Sequence, residues 1–322
     1  MQTKEICSQI KKHSIPSALI WTSVIALSLI FSPTASEYVK NGISLCIGTV
    51  IPSVFPFMVI SSLIIAAGAG RDLGALFSLP LRLVFGISRS AACPVFLGLV
   101  CGYPTGAFTA AAMYDKGEIS KKELERLLTF INVPGAAFVI GAVGKGMLSS
   151  TEIGTAIYVS VILASVTVGI FGRLFYPNTE EAYQITAPDI STPLSSAVPS
   201  AIRTAAANMM TVSACVITFS ALSGIICSLP FMSALPTEVR ALITGFFEVS
   251  SGTKAASLTS GMHAPLLVSA VCAWSGLSVH MQIISACRGR GVSFLPFFIS
   301  KAAQALLTPL YLYVYMQFIR TL

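Results

Sequence analysis

Eight stretches of this chain run without a single charged side chain: 13–36, 41–70, 90–114, 127–144, 153–172, 204–237, 255–287 and 302–319. A helix needs about 20 apolar residues to cross a hydrocarbon core about 30 Å thick, and each run meets or approaches that length. The runs are continuous, whereas the strands of a membrane barrel alternate every second residue, so helices are the reading. Charged residues make up only 10% of the 322 and apolar ones 54%, with a mean hydropathy of +0.81. An ordinary soluble domain carries about 25% charged residues, so this chain could not cover a water-facing surface. Intrinsic disorder is excluded too, because it needs low hydrophobicity and high net charge. The fold class expected is all-α, a polytopic membrane helical bundle whose first partner is the lipid bilayer.

The net charge of +7 is no nucleic-acid footprint, because the basic residues stand at the ends of apolar runs, where they snorkel and set topology. The eight cysteines contain no CxxC and no Cys/His cluster and read as small apolar filler. Lys4, Lys11 and Lys12 precede the apolar stretch 15–31 in the manner of a signal peptide, but seven more apolar runs follow. An uncleaved first helix with a cytoplasmic N-terminus is expected. Residues 1–40 then form an N-terminal helix and polar stretch, 41–176 a first membrane repeat, 177–197 a polar linker and 198–322 a second repeat. The linker has acids but no basic residue, which suggests the outer face.

Within these segments the pattern is of interrupted helices. Pro52 and Pro56 should kink or split the segment 42–69, leaving its first part at the interface. Residues 71–89 are amphipathic and basic and suit the cytoplasmic surface. The run 90–114 carries Cys101-Gly-Tyr-Pro-Thr-Gly106 at its centre, which predicts a helix–break–helix hairpin. The segment 115–126 holds eight charges, with a capping box starting at Ser120 and an apolar face of Leu124, Leu127, Leu128 and Ile131. Asn132-Val-Pro-Gly135 breaks the chain again, and 153–175 is a plain spanning helix. The two halves echo each other. Gly106-Ala-Phe-Thr-Ala-Ala111 matches Gly252-Thr-Lys-Ala-Ala256 at an offset of about 146, Asn132-Val-Pro-Gly135 matches Ala273-Trp-Ser-Gly276 at about 141, and Ile51-Pro-Ser53 matches Val198-Pro-Ser200 at 147. Two repeats with broken helices or re-entrant hairpins at matching places point to a transporter's binding site.

Enzyme signatures are missing: there is no phosphate-binding loop, no HExxH, no GxSxG and no dinucleotide fingerprint, so no catalytic residue, cofactor or metal site is expected. The candidates are polar residues at membrane depth, where a charge costs roughly 2.5–3.5 kcal/mol. Glu248 and Lys254 flank Ser250, Ser251, Gly252 and Thr253, read as a break whose free N–H groups suit an anionic substrate, with Lys254 adding charge and Glu248 balancing it or carrying a proton. The other break offers Tyr103, Pro104, Thr105, Gly106 and Thr109. Asn132 could cap a half-helix or meet substrate, with Ser275, Gly276, Ser278, His280 and Gln282 facing it. A mutual Glu248–Lys254 ion pair, a purely structural kink at 103–106 and a satisfied core His280 stand as alternatives. Arg203 and Lys301 are read as snorkelling.

The motifs Gly98-Leu-Val-Cys-Gly-Tyr-Pro-Thr-Gly-Ala107, Tyr114-Asp-Lys-Gly-Glu-Ile-Ser120, Asn132-Val-Pro-Gly135, Gly245-Phe-Phe-Glu-Val-Ser-Ser-Gly252, Trp274-Ser-Gly-Leu-Ser-Val279 and Phe294-Leu-Pro-Phe-Phe298 together resemble the sporulation integral membrane protein YlbJ family. The resemblance runs from about residue 40 to the end. It implies kinship with the group carrying the nucleoside-recognition Gate domain, here at about 50–150. It also implies an endospore-forming bacterium and a transporter or channel moving the small dianion dipicolinate across the outer forespore membrane from the mother cell. That step would serve spore cortex and core maturation. Homo-oligomerisation or association with other sporulation membrane proteins is compatible with it. Two other readings stand beside it: a non-transporting scaffold that recruits spore-assembly proteins through 115–126, and a nucleoside-type transporter.

Overall fold

The computed structural model describes residues 22, 25, 26, 29–175 and 193–320. The expected first helix over 15–31 lies almost wholly outside the described residues, as does most of the expected linker over 177–197, whose last residues already belong to the helix Leu194–Cys227. All regular elements among the described residues are helical, and five helices are long and apolar enough to cross a membrane: Ser32–Ala66, Thr151–Phe175, Leu194–Cys227, His263–Ala286 and Leu295–Phe318. The chain is an all-α polytopic membrane bundle.

Helix α1 (Ser32–Leu45) continues through a π-helical turn (Cys46–Val50) into α2 (Ile51–Ala66). The expectation of a split at Pro52 and Pro56 is therefore corrected. The wide turn, in which the Ile51 N–H reaches the Cys46 carbonyl, comes just before Pro52, so the ring meets no tight helical turn behind it. The long helix α8 (Leu194–Cys227) packs along this unit. Ala197, Ala201, Ala205 and Met209 recur every fourth residue on its buried face. A Cβ on Gly42 would lie 3.0 Å from the Ile217 Cα, so the two backbones meet closely, as small residues allow in membranes. Cys46, Val50, Met58, Ala205, Met209, Val212 and Val216 form an apolar core of their own at this seam.

The second and larger core holds the broken elements. Helix α3 (Gly70–Phe85) ends at Gly86, whose φ of 61° is left-handed, and it turns Leu76, Leu79 and Leu83 outward, as a surface helix against lipid would. The hairpin of α4 (Ala92–Cys101) and α5 (Thr105–Asp115) matches the expected helix–break–helix. Helix α6 (Lys121–Leu128) starts at Ser120, whose hydroxyl accepts the Glu123 N–H at 3.2 Å. Leu124, Leu127, Leu128 and Ile131 are all buried as the pattern predicts. The Glu123 carboxylate reaches Ser88, accepting from the backbone N–H at 2.7 Å and the hydroxyl at 2.9 Å. Arg126 is fully buried and donates to the carbonyls of Phe85 and Gly86.

After the Asn132–Gly135 break a π-helical stretch (Ala137–Met147) leads to α7 (Thr151–Phe175). Beyond α8 come a single turn α9 (Pro230–Ser233), the hairpin α10 (Thr237–Phe247) and α11 (Val249–Ser257), the interrupted span α12 (His263–Trp274) and α13 (Gly276–Ala286), and α14 (Leu295–Arg320).

Ion pairs and close contacts identify the two ends of the bundle. At the basic end Arg290 donates to Asp115, Nε to Oδ1 at 2.8 Å, and Glu125 accepts the Ser293 N–H at 2.9 Å. The last turns of α7 arrive here too, with Gly169 against Phe85 and Phe130 and Gly86 against Arg173. The outer-face expectation for the linker falls on residues outside the described ones. At the opposite end Glu238 and His263, at the starts of α10 and α12, approach to 3.9 Å. Hairpin α4–α5 thus opens toward the basic end and hairpin α10–α11 toward the other, with their tips meeting inside.

Candidate functional site

Each tip is held by glycines that bring backbones into contact. A Cβ on Gly106 would lie 2.7 Å from the Gly98 Cα, and one on Gly252 only 2.1 Å from the Gly245 Cα. Each tip also crosses the other break of its own half. Gly102, at φ 83°, sits so close to Gly135 that a Cβ would lie 2.1 Å from its nitrogen, and the Tyr103 N–H donates to the Val133 carbonyl at 2.6 Å. In the second half Gly276, at φ 73°, lies against Glu248 and Val249. Four breaks therefore converge in the interior.

A small cavity lies where they converge. Cys101, Tyr103 and Pro104 line it from one tip, Val249 and Ser250 from the other, and Gly135, Phe138, Val279 and Gln282 from the crossing elements. Val50, Ser53, Val54, Val212 and Val216 close it from the α2–α8 side. Its volume of about 40 Å³ admits water but no metabolite, since one water needs roughly 10–15 Å³ and ligand pockets run to about 300–1,000 Å³. The site is closed in this conformation.

The break in the second hairpin lies at Glu248, not at 250–253 as the sequence reading had it. Ser250, Ser251 and Thr253 belong to α11, and Thr253 returns its hydroxyl to the Ser250 carbonyl at 3.0 Å. Glu248 is extended at φ −140° and caps α11, its carboxylate accepting the N–H groups of Ser250 at 3.0 Å and Ser251 at 2.6 Å. An acidic N-cap satisfies orphan donors and meets the helix dipole, which fixes the helix start one residue after the glutamate. The free helix end expected there for a ligand is therefore filled by the protein's own carboxylate. Lys254 stands exposed in the last turn of α11, six residues or about 9 Å of helix from Glu248. It joins neither the cavity nor an ion pair with Glu248 among the described contacts.

At the first tip, α5 has no side-chain cap. The Thr105 hydroxyl is buried without a hydrogen-bond partner, while the Tyr103 hydroxyl meets the Ser275 side chain. Gly106 serves the backbone contact with Gly98. Asn132 donates its amide to the Leu128 carbonyl at 3.0 Å and leaves its side-chain oxygen buried and unpaired. Ser278 and His280 are fully buried on α13. His280 Nε2 bonds the Trp274 carbonyl at 2.9 Å while Nδ1 has no partner, and the ring packs edge-on against Trp274. Trp274 in turn donates to the Phe246 carbonyl at 3.1 Å, tying α12 to α10.

Lys301 overturns its sequence reading. It does not snorkel but is fully buried, its ammonium donating to the Asn132 carbonyl at 2.9 Å and to Gln304 Oε1 at 3.1 Å. Gln304 passes on to the Thr129 carbonyl at 2.8 Å. Lys301 and Gln304 thus secure backbone carbonyls at the Asn132–Gly135 break and the end of the helix before it. A signal for it exists in the sequence: Lys301, Gln304 and Thr308 are spaced i, i+3, i+7 and make one polar stripe on an otherwise apolar helix.

Opposed hairpins, interrupted spans and a small, largely apolar cavity between the breaks define the class, a polytopic integral membrane protein with an interior site built from broken helices. The chain is similar to a sporulation membrane protein. The Bacillus subtilis (strain 168) protein described as "Sporulation integral membrane protein YlbJ" is 26% identical to it over 315 residues, covering 87% of this chain and 77% of the relative. No family model and no solved structure matches the chain.

Proposed function

We propose that this protein transports a small polar metabolite through the bilayer during sporulation. The observation that carries the reading is the meeting of two hairpin tips, entering from opposite ends, around a small cavity. Uncapped helix ends and unpaired hydroxyls at membrane depth cost free energy that a passive scaffold has no reason to keep, whereas a binding site gains from them. The corresponding offsets of Gly102 to Glu248 and Gly135 to Gly276, 146 and 141 residues, support two repeats of opposite orientation, an arrangement suited to alternating access.

Dipicolinate is the substrate we infer, taken up by the forespore through its outer membrane, on the strength of the resemblance. The charged segment 115–126 counts against the scaffold reading, because Asp115, Glu123, Glu125 and Arg126 already bond partners within this chain. Purified protein in proteoliposomes should take up labelled dipicolinate, with excess nucleoside failing to compete. Uptake that nucleoside abolishes, or no uptake of either solute by correctly inserted protein, would overturn the assignment.

A further inference from the structure

We propose that a groove between α2, α5 and α8 is the water-filled entrance to the central cavity from the basic end of the bundle. The inference deepens the transport reading and rests on it. The groove has a volume of about 230 Å³. That is room for several waters, whose share of liquid volume is roughly 30 Å³ each. Ten residues line it, and six carry a hydroxyl or an amide: Ser61 and Ser62 from α2, Thr109 from α5, and Ser200, Thr204 and Asn208 from α8. It lies toward the basic end. Helix α5 runs on from Ala112 in its wall to Asp115, the partner of Arg290, and the Lys116 ammonium donates to the carbonyl of Ile65, another wall residue.

The lining differs from that of a gap filled by lipid. On α8 the polar residues recur every fourth position, at 200, 204 and 208, while Val198, Ile202 and Met210 stand exposed two positions away from them. A helix turns about 100° per residue, so positions two apart lie on nearly opposite sides. The apolar stripe meets hydrocarbon and the polar stripe meets the groove. No hydrogen bond among the described residues engages the side chains of Ser62, Ser200, Thr204 or Asn208. Hydrocarbon would leave these groups unsatisfied, whereas water or a polar solute pairs them. Neutral hydroxyls and an amide offer both donors and acceptors, so the entrance suits a small hydrated solute.

The same three helices wall the central cavity, through Ser53 and Val54 on α2, Pro104 at the head of α5, and Val212 and Val216 on α8. Four residues, about 6 Å of helix, separate Asn208 from Val212. Met58, Met209 and Phe108 stand in that interval and pack in one apolar cluster. Methionine is unbranched with three rotatable bonds, so this septum can part by side-chain rotation while the helices stay in place.

The test uses the full chain, freed of cysteine, in proteoliposomes with a membrane-impermeant thiol reagent, which attacks a thiol only where water lets it ionise. Reagent at the basic end should label Ser62→Cys and Thr204→Cys at least tenfold faster than Ile202→Cys, which lies at the same depth facing lipid. Val212→Cys, in the central cavity, should label slowly. Phe108→Ala, or Met209→Ala if that variant fails to insert, should speed its labelling at least tenfold. Thr204→Cys labelling no faster than Ile202→Cys would overturn the entrance and mark the groove as filled by lipid or by a second copy of the chain. Val212→Cys remaining slow behind a reactive groove in both septum variants would overturn it equally. Dipicolinate uptake by protein whose groove is unreactive would keep the transport reading and remove the entrance. A reactive, connected groove in protein that takes up no solute would keep the water-filled entrance and remove the transport reading.

Discussion

Glu248 is the residue where sequence and structure part most instructively. Its neighbours Ser250, Ser251, Gly252 and Thr253 look like a break by composition, since small hydroxyl residues compete with helical bonding. What decides is the acid before them, which supplies the cap and lets those residues run on as helix. Glu248→Ala should leave two buried N–H groups without a partner and cost about 1–3 kcal/mol of stability. Acetate at tens of millimolar should restore part of the lost melting temperature in the variant and do nothing for the wild type. A variant as stable as wild type, or one that acetate does not help, would show that the carboxylate is not what holds the tip. Lys301 teaches the complementary lesson. A single lysine near the start of an apolar run reads as interfacial, and only its polar stripe with Gln304 and Thr308 betrays that it faces protein.

At the scale of elements the sequence was most legible where glycine and proline coincide. Cys101-Gly-Tyr-Pro-Thr-Gly106 and Asn132-Val-Pro-Gly135 mark real interruptions, because no regular helix accommodates them. It misled at Pro52 and Pro56, where a π-helical turn absorbs what composition alone presents as a break. Which glycines are indispensable could not be read from type, since it depends on what lies opposite. Gly252 touches Gly245, whereas nothing lies within 4 Å of a Cβ at Gly141. Gly252→Ala should therefore force the second hairpin open and lose folded protein on size-exclusion chromatography. Gly141→Ala should stay within about 0.5 kcal/mol of wild type. Similar yields and melting temperatures for the two would remove the close-packed hairpin.

For the whole molecule, the arrangement of ends is the testable content. In a cysteine-free background, Lys122→Cys and Arg288→Cys should react with a membrane-impermeant thiol reagent from the cytoplasmic side, and Ser260→Cys from the other. Labelling of all three from one side would contradict the opposed hairpins. The scarcity of charge disclosed the bilayer as solvent but not this arrangement, because the relevant ties, Asp115 to Arg290 and Glu125 to Ser293, join residues more than 160 positions apart.

The division of the interior into two cores carries a mechanical consequence. The cavity is bounded on one side by valines of the α2–α8 slab and on the other by the hairpin tips, so the dividing surface between the cores passes through it. Small aliphatic side chains on that surface interlock shallowly, and packed helices slide past one another at little cost when their contacts are of this kind. Shear along this one plane would widen the cavity and shift it in depth while each core kept its own packing. Such a shear would move a solute held between the two cores.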